Sequence, residues 1–217
     1  MNDKPQTVVI IDDHPLFRKG LMQLLRTVKG FRLVGEAAGG KEGVACVLKH
    51  RPDLLLLDLN MKEMSGLDVL RLIKQADLDT RVVMITVSDA AEDLVSALRA
   101  GADGYLLKDM EPEAMVESLQ SAAAGRIVVS DALTHLMAAA LRTVARPESV
   151  TDAGLTEQEQ RILEHIAAGL SNKLIARELD IAEGTVKVHV KHVLRKLNLR
   201  SRVEAAVWAV EHMRTGR

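Results

Sequence analysis

The chain has 217 residues, of which 47% are hydrophobic, and its 29 Lys and Arg residues nearly balance 30 Asp and Glu residues, for a formal net charge of -1. This length supplies two ordinary domains with material for a core in each. No apolar run approaches the roughly 18 residues of a membrane span, and the N-terminus lacks the pattern of a signal peptide, so we expect a cytoplasmic protein with no membrane insertion.

The first 125 residues alternate short apolar runs with longer segments of helical period. This pattern is typical of a parallel sheet that crossover helices cover on both faces. The five predicted strands are Val8 to Ile11, Leu33 to Val34, Leu54 to Leu57, Val82 to Ile85 and Tyr105 to Leu107. The helices are predicted at about 14–28, 39–50, 66–75, 90–100 and 111–124. The sequence therefore predicts a (βα)5 domain of the α/β class.

The rest of the chain predicts a linker and a small helical domain. A further helix is predicted from Asp131 to Arg142, and residues 143–154 have the small and polar composition of an interdomain linker. Thr156 and Glu159 have the spacing of a capping box, so a helix begins there. Three more helices are predicted at about 171–178, 183–197 and 200–213. We therefore divide the chain into an α/β domain at 1–127, a linker helix and flexible linker at 128–154, and an all-α four-helix domain at 155–217.

Polar residues follow the apolar runs at four predicted strand ends. Asp12 and Asp13 follow the first strand, Asp58 the third, Thr86 the fourth and Lys108 the fifth. Because reactive groups in an open parallel sheet lie beyond the carboxyl ends of the strands, we expect these side chains to meet. Three converging carboxylates repel one another unless a divalent cation or an ammonium group offsets their charge. The set therefore predicts a Mg2+ site.

Phosphoryl transfer fits these groups. It needs a nucleophilic oxygen in line with the leaving group and positive charge around the equatorial oxygens. Asp58 is the predicted nucleophile, Lys108 would pair with the transferred group, and the Thr86 hydroxyl would hydrogen-bond it. The predicted metal ligands are Asp12, Asp13, Asp58 and the backbone carbonyl of Asn60. Taken singly, such residues are more often turn, strand-end or surface residues; their ordered occurrence at four strand ends favours a site.

A cluster of cations marks the helical domain. Six basic residues and no acidic residue lie between Gly184 and Arg202, namely Lys187, Lys191, Arg195, Lys196, Arg200 and Arg202. The helices at 171–178 and 183–197 have helix-turn-helix spacing. The second helix would enter a DNA major groove, with Lys187, Lys191 and Arg195 on its outer side, while Lys196, Arg200 and Arg202 would meet phosphates.

Charge spacing alone fits an amphipathic helix with a solvated basic face equally well. The chain has only four aromatic residues, Phe17, Phe31, Tyr105 and Trp208. Stacking on single-stranded nucleic acid depends on such residues, so their scarcity favours duplex DNA over RNA.

The segments IDDHPLFRKG, LLLLDLNMKEMSGLD, VVMITVSDA and GADGYLLKD resemble the receiver domain of bacterial two-component response regulators across residues 7 to about 125. The resemblance implies a flavodoxin-like fold, phosphorylation of Asp58 by a sensor histidine kinase, and Tyr105 as the aromatic that reorients with Thr86. Two positions depart from the family pattern. Lys62 stands where the family usually has proline, and Val87 stands where many receivers have Ala or Gly; both predict an altered rate of phosphoryl loss.

The segment LTEQEQRILEHIAAGLSNKLIARELDIAEGTVKVHVKHVLRKLNLRSRVEAAVWA resembles the LuxR-type helix-turn-helix over its full length. That resemblance implies that Lys187, Val188 and Lys191 face bases. Gln158 stands where an arginine is common, for which we expect only a modest effect on stability. Domain order and the strings NMKxMSGL, GADGYLLKDM and TVKVHVKH resemble nitrate/nitrite regulators of the NarL/FixJ family. This likeness implies control of anaerobic respiration genes, with RNA polymerase as a candidate partner.

The predicted mechanism is a phosphorylation switch in a transcription regulator that is not an enzyme. Phosphorylation adds about -1.5 to -2 charge, draws Thr86 and Lys108 inward and lets Tyr105 follow into the vacated space. It would release a basic helix that the receiver covers, so that two helix-turn-helix domains form a homodimer on double-stranded DNA.

Two other classes of protein remain open at this point. A haloacid dehalogenase-type hydrolase would also form an aspartyl phosphate, but its nucleophile follows the first strand in a DxD arrangement, where this chain has Asp12 to Pro15. A phosphorylation-independent interaction protein would use the acidic cluster only to bind a partner.

Overall fold

The computed structural model of this chain describes residues 5–76, 78–130, 133, 153–199 and 201–212. Its first domain is a six-stranded parallel sheet in the order β2-β1-β3-β4-β5-β6. The strands are β1 (Gln6–Ile11), β2 (Phe31–Ala37), β3 (Leu54–Asp58), β4 (Arg81–Thr86), β5 (Gly104–Leu107) and β6 (Val128–Val129). The helices are α1 (Pro15–Thr27), α2 (Gly40–His50), α3 (Gly66–Gln75), α4 (Ala91–Arg99) and α5 (Pro112–Ala123). The predicted α/β fold class is confirmed, whereas the two-residue strand β6 was not predicted.

Both faces of this sheet are buried, which explains the continuous apolar runs in its central strands. In β3, Leu55 and Leu57 face one core, while Leu54 and Leu56 face the other. Helices α2, α3 and α4 cover the first face and α1 and α5 cover the second, through residues such as Val47, Val69, Leu94, Leu21 and Leu119. Each fully buried leucine contributes about 1.5–3 kcal/mol of burial free energy. The strand order reverses between β1 and β3, where ligands of open α/β sheets bind.

The loop from β3 to α3 folds back on the strand that precedes it. The Gly66 N–H donates to the Leu59 carbonyl at 2.8 Å, and a Cβ atom at Gly66 would overlap the carbonyl oxygen of Asp58. Glu63 adopts a left-handed conformation with φ of 64°. A glycine is therefore required at position 66 to hold this loop beside the end of β3.

The second domain is all-α and has a core of its own. Its helices are α6 (Glu157–Ala167), α7 (Asn172–Leu179), α8 (Glu183–Lys196) and α9 (Arg202–His212). Its fully buried side chains include Ile162, Ile175, Val193 and Trp208. The predicted capping box is confirmed, because Thr156 Oγ1 accepts from the Glu159 N–H and Glu159 Oε2 accepts from the Thr156 N–H.

The two domains contact each other through α9 and the end of the first domain. Val203 and Val207 of α9 pack against the core that α2, α3 and α4 cover. Ile127 contacts that same core and the core of the second domain. Arg99 Nε, in the last turn of α4, lies 4.0 Å from Glu204 Oε1. Helix α4 is therefore in direct contact with the domain that carries the basic helix.

The predicted linker region lies mostly outside the described residues. Of the helix predicted at 131–142 only Leu133 is described; it is buried, and its N–H donates to the Ser130 carbonyl at 2.8 Å. Within the described ranges, no helix combines the length and apolar character that crossing a bilayer requires.

Candidate functional site

Three of the predicted site residues meet at the carboxyl edge of the sheet. Asp12 follows β1, Asp58 ends β3 and Lys108 follows β5. The Lys108 ammonium lies 2.8 Å from Asp12 Oδ2 and 2.9 Å from Asp58 Oδ2, and all three side chains are buried. The same ammonium lies 4.9 Å from the centroid of the Phe17 ring. Strand ends thus bring residues far apart in sequence into one charged pocket.

Asp13 lies at the rim of this pocket and is held by a backbone donor. Its Oδ2 atom accepts from the Lys62 N–H at 3.1 Å. Its Oδ1 atom is buried and lies 3.0 Å from Nδ1 of His14. One oxygen of this carboxylate is therefore fixed by the loop after β3, and the other lies close to ligand atoms of Asp12, His14 and Asp58.

His14 is a member of the cluster that the sequence did not predict. Its Nδ1 atom lies 3.0 Å from Asp13 Oδ1 and 3.4 Å from both Asp12 Oδ1 and Asp58 Oδ2. The ring is largely exposed, with 61% of its side-chain surface accessible. Its position directly after Asp13 was the available signal, but a histidine before proline gives no indication of where its ring points.

The donor set fits a divalent cation with oxygen ligands. Ligand atoms of Asp12, Asp13, His14 and Asp58 all lie within 4.8 Å of one another. Three carboxylates and a single ammonium leave two uncompensated negative charges, which one divalent ion would neutralise. Carboxylate oxygens are the ligands that Mg2+ prefers. The Asn60 N–H donates to Asp58 Oδ1 at 3.3 Å, and a role for the Asn60 carbonyl as a ligand stays a prediction.

The Asp58 carboxylate is destabilised in its charged form. Burial raises its pKa above the ordinary aspartate value, and the negative charge of Asp12 adds to that effect. The hydrogen bond and charge of Lys108 and the Asn60 N–H lower the pKa but offset the rise only in part. Positive charge entering the pocket would therefore stabilise the ionised form, which is the nucleophile.

Thr86 and Tyr105 are joined to each other through Ser88. The Ser88 N–H donates to Thr86 Oγ1 at 3.1 Å, and the Tyr105 hydroxyl donates to the Ser88 carbonyl at 3.1 Å. Ser88 Oγ donates in turn to Asp93 Oδ2 at 2.6 Å, in the first turn of α4. The loop between β4 and α4 therefore connects both predicted switch residues to a helix that contacts α9.

The Tyr105 ring is already fully buried in this structure. Burial, followed by the charge of Asp93, raises the pKa of its phenol well above the ordinary value. The Tyr105 ring therefore already occupies the inward position in this structure, with its hydroxyl donating to the Ser88 carbonyl. The predicted inward movement on phosphorylation would need an outward position that this structure does not show.

The basic helix α8 presents four of the predicted DNA-contacting residues on its outer side. Val188, Lys191 and Arg195 are exposed and Lys187 is half-buried. Val188 is an apolar side chain with 53% of its surface accessible. The Lys187 ammonium forms an ion pair with Asp79 of the first domain. This side of α8 is therefore both the candidate DNA surface and a contact with the first domain.

Two other predicted phosphate contacts are engaged inside the second domain. Lys196 Nζ lies 2.7 Å from Glu159 Oε2 and donates to the Gly154 carbonyl at 2.9 Å. Arg202 donates to Asn172 Oδ1 at 2.8 Å and to the Leu170 carbonyl. Their role as DNA contacts stays a prediction, and Arg200 lies outside the described residues.

Arg202 also lies near charged residues of the first domain. Burial lowers its pKa to about 10; the charge of Asp103 opposes this change, and that of Arg81 adds to it. Asp103 itself is paired with Lys74 at 2.7 Å. Charged side chains of both domains therefore meet at this interface.

Comparison with known families agrees with this architecture. Residues 8–120 match the family described as the response regulator receiver domain, and residues 153–209 match the bacterial regulatory proteins of the luxR family. The chain belongs to the NarL/FixJ family of response regulators, which join a receiver domain to a LuxR-type DNA-binding domain. The class inferred from the sequence is therefore confirmed.

Individual relatives extend over nearly the whole chain. The nitrate/nitrite response regulator protein NarL of Escherichia coli strain K12 is 51% identical over 207 residues, which cover 95% of this chain and 96% of that protein. NarP of the same strain, also a nitrate/nitrite response regulator, is 43% identical over 94% of both chains. The signal receiver domain of a response regulator named NarL from Mycobacterium tuberculosis has a similar structure, with a TM-score of 0.55 and 36% identity. That likeness covers 57% of this chain and 99% of that domain.

Proposed function

We propose that this chain accepts a phosphoryl group on Asp58 from a sensor histidine kinase and thereby controls transcription of nitrate/nitrite-responsive genes. The observation that carries the proposal is the buried arrangement of Lys108 between Asp12 and Asp58, which places a cation beside a carboxylate with a raised pKa. The relatives named as nitrate/nitrite response regulators support the regulon. The residue boundaries of 1–127 for the receiver and 155–217 for the DNA-binding domain are part of this proposal.

In the proposed reaction, an Asp58 oxygen attacks phosphorus, and a P–O bond forms as the P–N bond of the kinase phosphohistidine breaks. Mg2+, held by Asp12, Asp13, Asp58 and the Asn60 carbonyl, would supply positive charge for the carboxylates and phosphoryl oxygens. Lys108 lies close enough to Asp58 to pair with the transferred group. Thr86 would exchange its Ser88 contact for a phosphoryl oxygen.

Phosphorylation is proposed to weaken the contacts between the two domains. Thr86 and Tyr105 contact Ser88, and Ser88 is bonded to α4, so movement at the pocket would shift that helix. Arg99 at the other end of α4 lies beside Glu204 of α9. A shift of α4 would therefore free α9 and the Lys187 side of α8, and two released domains would dimerise on a two-fold DNA site.

The phosphoryl step is tested by labelling the full chain with radioactive acetyl phosphate. We expect label on the wild-type chain in Mg2+, none in excess EDTA and none on Asp58→Asn. Asp109→Asn is the control, because Asp109 is an exposed aspartate next to Lys108. Label that survives Asp58→Asn would overturn the assignment of the nucleophile, and steady turnover of small phosphate esters would favour a hydrolase instead.

The release step is tested by DNA affinity. We expect beryllofluoride or acetyl phosphate to raise the affinity of the full chain for promoter DNA, and residues 151–217 alone to bind at least as well as the activated chain. If the isolated domain binds no better than the unmodified full chain, the proposed masking is wrong. Unchanged promoter activity of Asp58→Asn in cells would favour a phosphorylation-independent interaction protein.

A further inference from the structure

We propose that the backbone N–H of Lys62 positions the Asp13 carboxylate for the divalent cation. The inference rests on the proposed function, because it concerns the cation that phosphoryl transfer to Asp58 requires. It gives position 62 a role in cation affinity that depends on its main chain and not on its lysine side chain.

The two carboxylate oxygens of Asp13 have different roles. Oδ2 accepts from the Lys62 N–H at 3.1 Å, while Oδ1 is buried and lies 3.0 Å from Nδ1 of His14 within the cluster of candidate ligands. A carboxylate held through one oxygen cannot rotate freely about its terminal bond. The hydrogen bond therefore keeps Oδ1 directed toward Asp12 and Asp58, whose ligand atoms lie within 4.8 Å of it.

The donor is itself fixed to the strand that carries Asp58. The Lys62 carbonyl accepts from the Met64 N–H at 2.8 Å, and the Gly66 N–H closes the loop onto Leu59 at 2.8 Å. Asn60, two residues before Lys62, donates its N–H to Asp58 Oδ1. Because one short loop contacts both carboxylates, it sets the position of Asp13 relative to Asp58.

Proline at position 62 cannot make this contact, since it has no N–H. Partners that orient a metal ligand typically contribute 10- to 100-fold to metal affinity. Asp13 retains some solvent exposure, with 16% of its side chain accessible, so we expect a smaller effect. Loss of the Lys62 donor should weaken Mg2+ binding by about three- to tenfold.

The experiment compares Lys62→Pro with Lys62→Ala in the full chain. Mg2+ affinity is measured without a phosphodonor, from amide chemical shifts of the 15N-labelled protein during a Mg2+ titration. We expect weaker binding in Lys62→Pro and wild-type binding in Lys62→Ala, which keeps the N–H. In an Asp13→Ala background, Lys62→Pro should have no further effect, because the acceptor is already gone.

Hydrogen exchange of the wild-type Lys62 amide provides a second measurement that does not require the proline variant to fold. We expect slow exchange in wild type and exchange at least tenfold faster in Asp13→Ala. Equal exchange rates, equal Mg2+ affinity of wild type and Lys62→Pro, or an equal loss in Lys62→Pro and Lys62→Ala would each overturn the inference. A wild-type chain that binds no Mg2+ and takes up no label would instead overturn the proposed function.

Discussion

The ammonium group of Lys187, on the outer side of the basic helix, is paired with the carboxylate of Asp79 in the receiver domain. Asp79 lies between α3 and β4, so the pair joins the candidate DNA-contacting surface to the sheet domain. In the proposed DNA complex, Lys187 would contact a phosphate, and the Asp79 carboxylate would already hold that ammonium group. Under that proposal, Asp79 and a DNA phosphate would compete for the same lysine.

Asp79→Asn should raise the DNA affinity of the unphosphorylated chain by about two- to fivefold. The effect is limited because both side chains are partly exposed, and such ion pairs contribute about 1 kcal/mol or less. Fluorescence anisotropy with a labelled promoter fragment measures the change, which should diminish as salt increases.

Asp68→Asn is the matched control for this variant. Asp68 is an exposed receiver carboxylate that pairs with Arg71 of its own helix, so its neutralisation changes net charge equally without touching the second domain. Equal affinity gains in both variants would show that net charge, and not the Lys187 pair, is responsible.

The charged pocket could be predicted from the sequence because the sheet constrains where strand ends lie. Asp12, Asp58 and Lys108 are separated by tens of residues, but each follows an apolar run, and parallel strands place their carboxyl ends at one edge. The contact between Lys62 and Asp13 could not be predicted in this way. It depends on a backbone donor in an irregular loop, whose direction follows from the loop conformation and not from residue type.

Charge spacing was a weaker guide in the second domain. It predicted both Lys191 and Lys196 as DNA contacts, Lys191 on the outer side of the helix and Lys196 at phosphates. The structure separates them, since Lys196 contacts the buried Glu159 of α6 while Lys191 is exposed. One-dimensional spacing gives the face of a helix, but it does not reveal which neighbouring helix supplies a counter-charge.

Asp58→Asn should stabilise the metal-free receiver domain at neutral pH. The folded pKa of Asp58 is raised, mainly by burial, so the folded state binds its proton more tightly than the unfolded state. Stability from this group is therefore present at low pH and is lost as pH rises from the ordinary aspartate value through the folded pKa. Thermal unfolding in EDTA should give a Tm a few degrees above wild type at pH 7, with the difference disappearing near pH 3.

With Mg2+ present, the wild-type Tm should exceed the Tm of Asp58→Asn, the reverse of the order in EDTA. A divalent ion that binds the three carboxylates stabilises the folded wild-type domain by mass action, and Asp58→Asn removes one of its ligands. The wild-type Tm should therefore rise more with Mg2+ concentration than the Tm of the variant. Equal metal-dependent increases would show that the ion does not contact Asp58.

Gly66→Ala should destabilise the receiver domain by about 1–3 kcal/mol, the usual cost of forcing an extra methyl group into a packed position. The added Cβ would overlap the Asp58 carbonyl oxygen, so the loop after β3 must move and phosphoryl labelling of Asp58 should slow. Gly20→Ala is the control, because Gly20 lies exposed in α1 and no neighbouring atom comes within 4 Å of the place that an alanine methyl group would take. That substitution should be neutral or stabilise by about 0.5–1 kcal/mol, and urea unfolding measures both changes.

Lys196→Met and Lys191→Met should show which lysine of α8 stabilises the domain and which binds DNA.

The ion pair between Lys196 and Glu159 makes the stability effect depend on pH. Burial raises the pKa of Glu159, but hydrogen bonds from Lys196 and Thr156 outweigh this effect and leave the pKa lowered. The Glu159 contribution to stability is therefore present at neutral pH and is lost as pH falls through the titration of the carboxyl group.

Removing the Lys196 ammonium should lower the free energy of unfolding by about 1 kcal/mol at pH 7. This value is below the usual range for charged hydrogen bonds because Lys196 is partly exposed. This loss should diminish as pH falls below the ordinary glutamate pKa, because the lowered pKa of Glu159 delays its protonation to more acidic pH. Lys191→Met should leave stability unchanged, weaken DNA binding and reduce the salt dependence of log affinity by about one unit of slope. If Lys196→Met reduces the salt slope as much as Lys191→Met without loss of stability, Lys196 contacts phosphate and its pairing with Glu159 is dispensable.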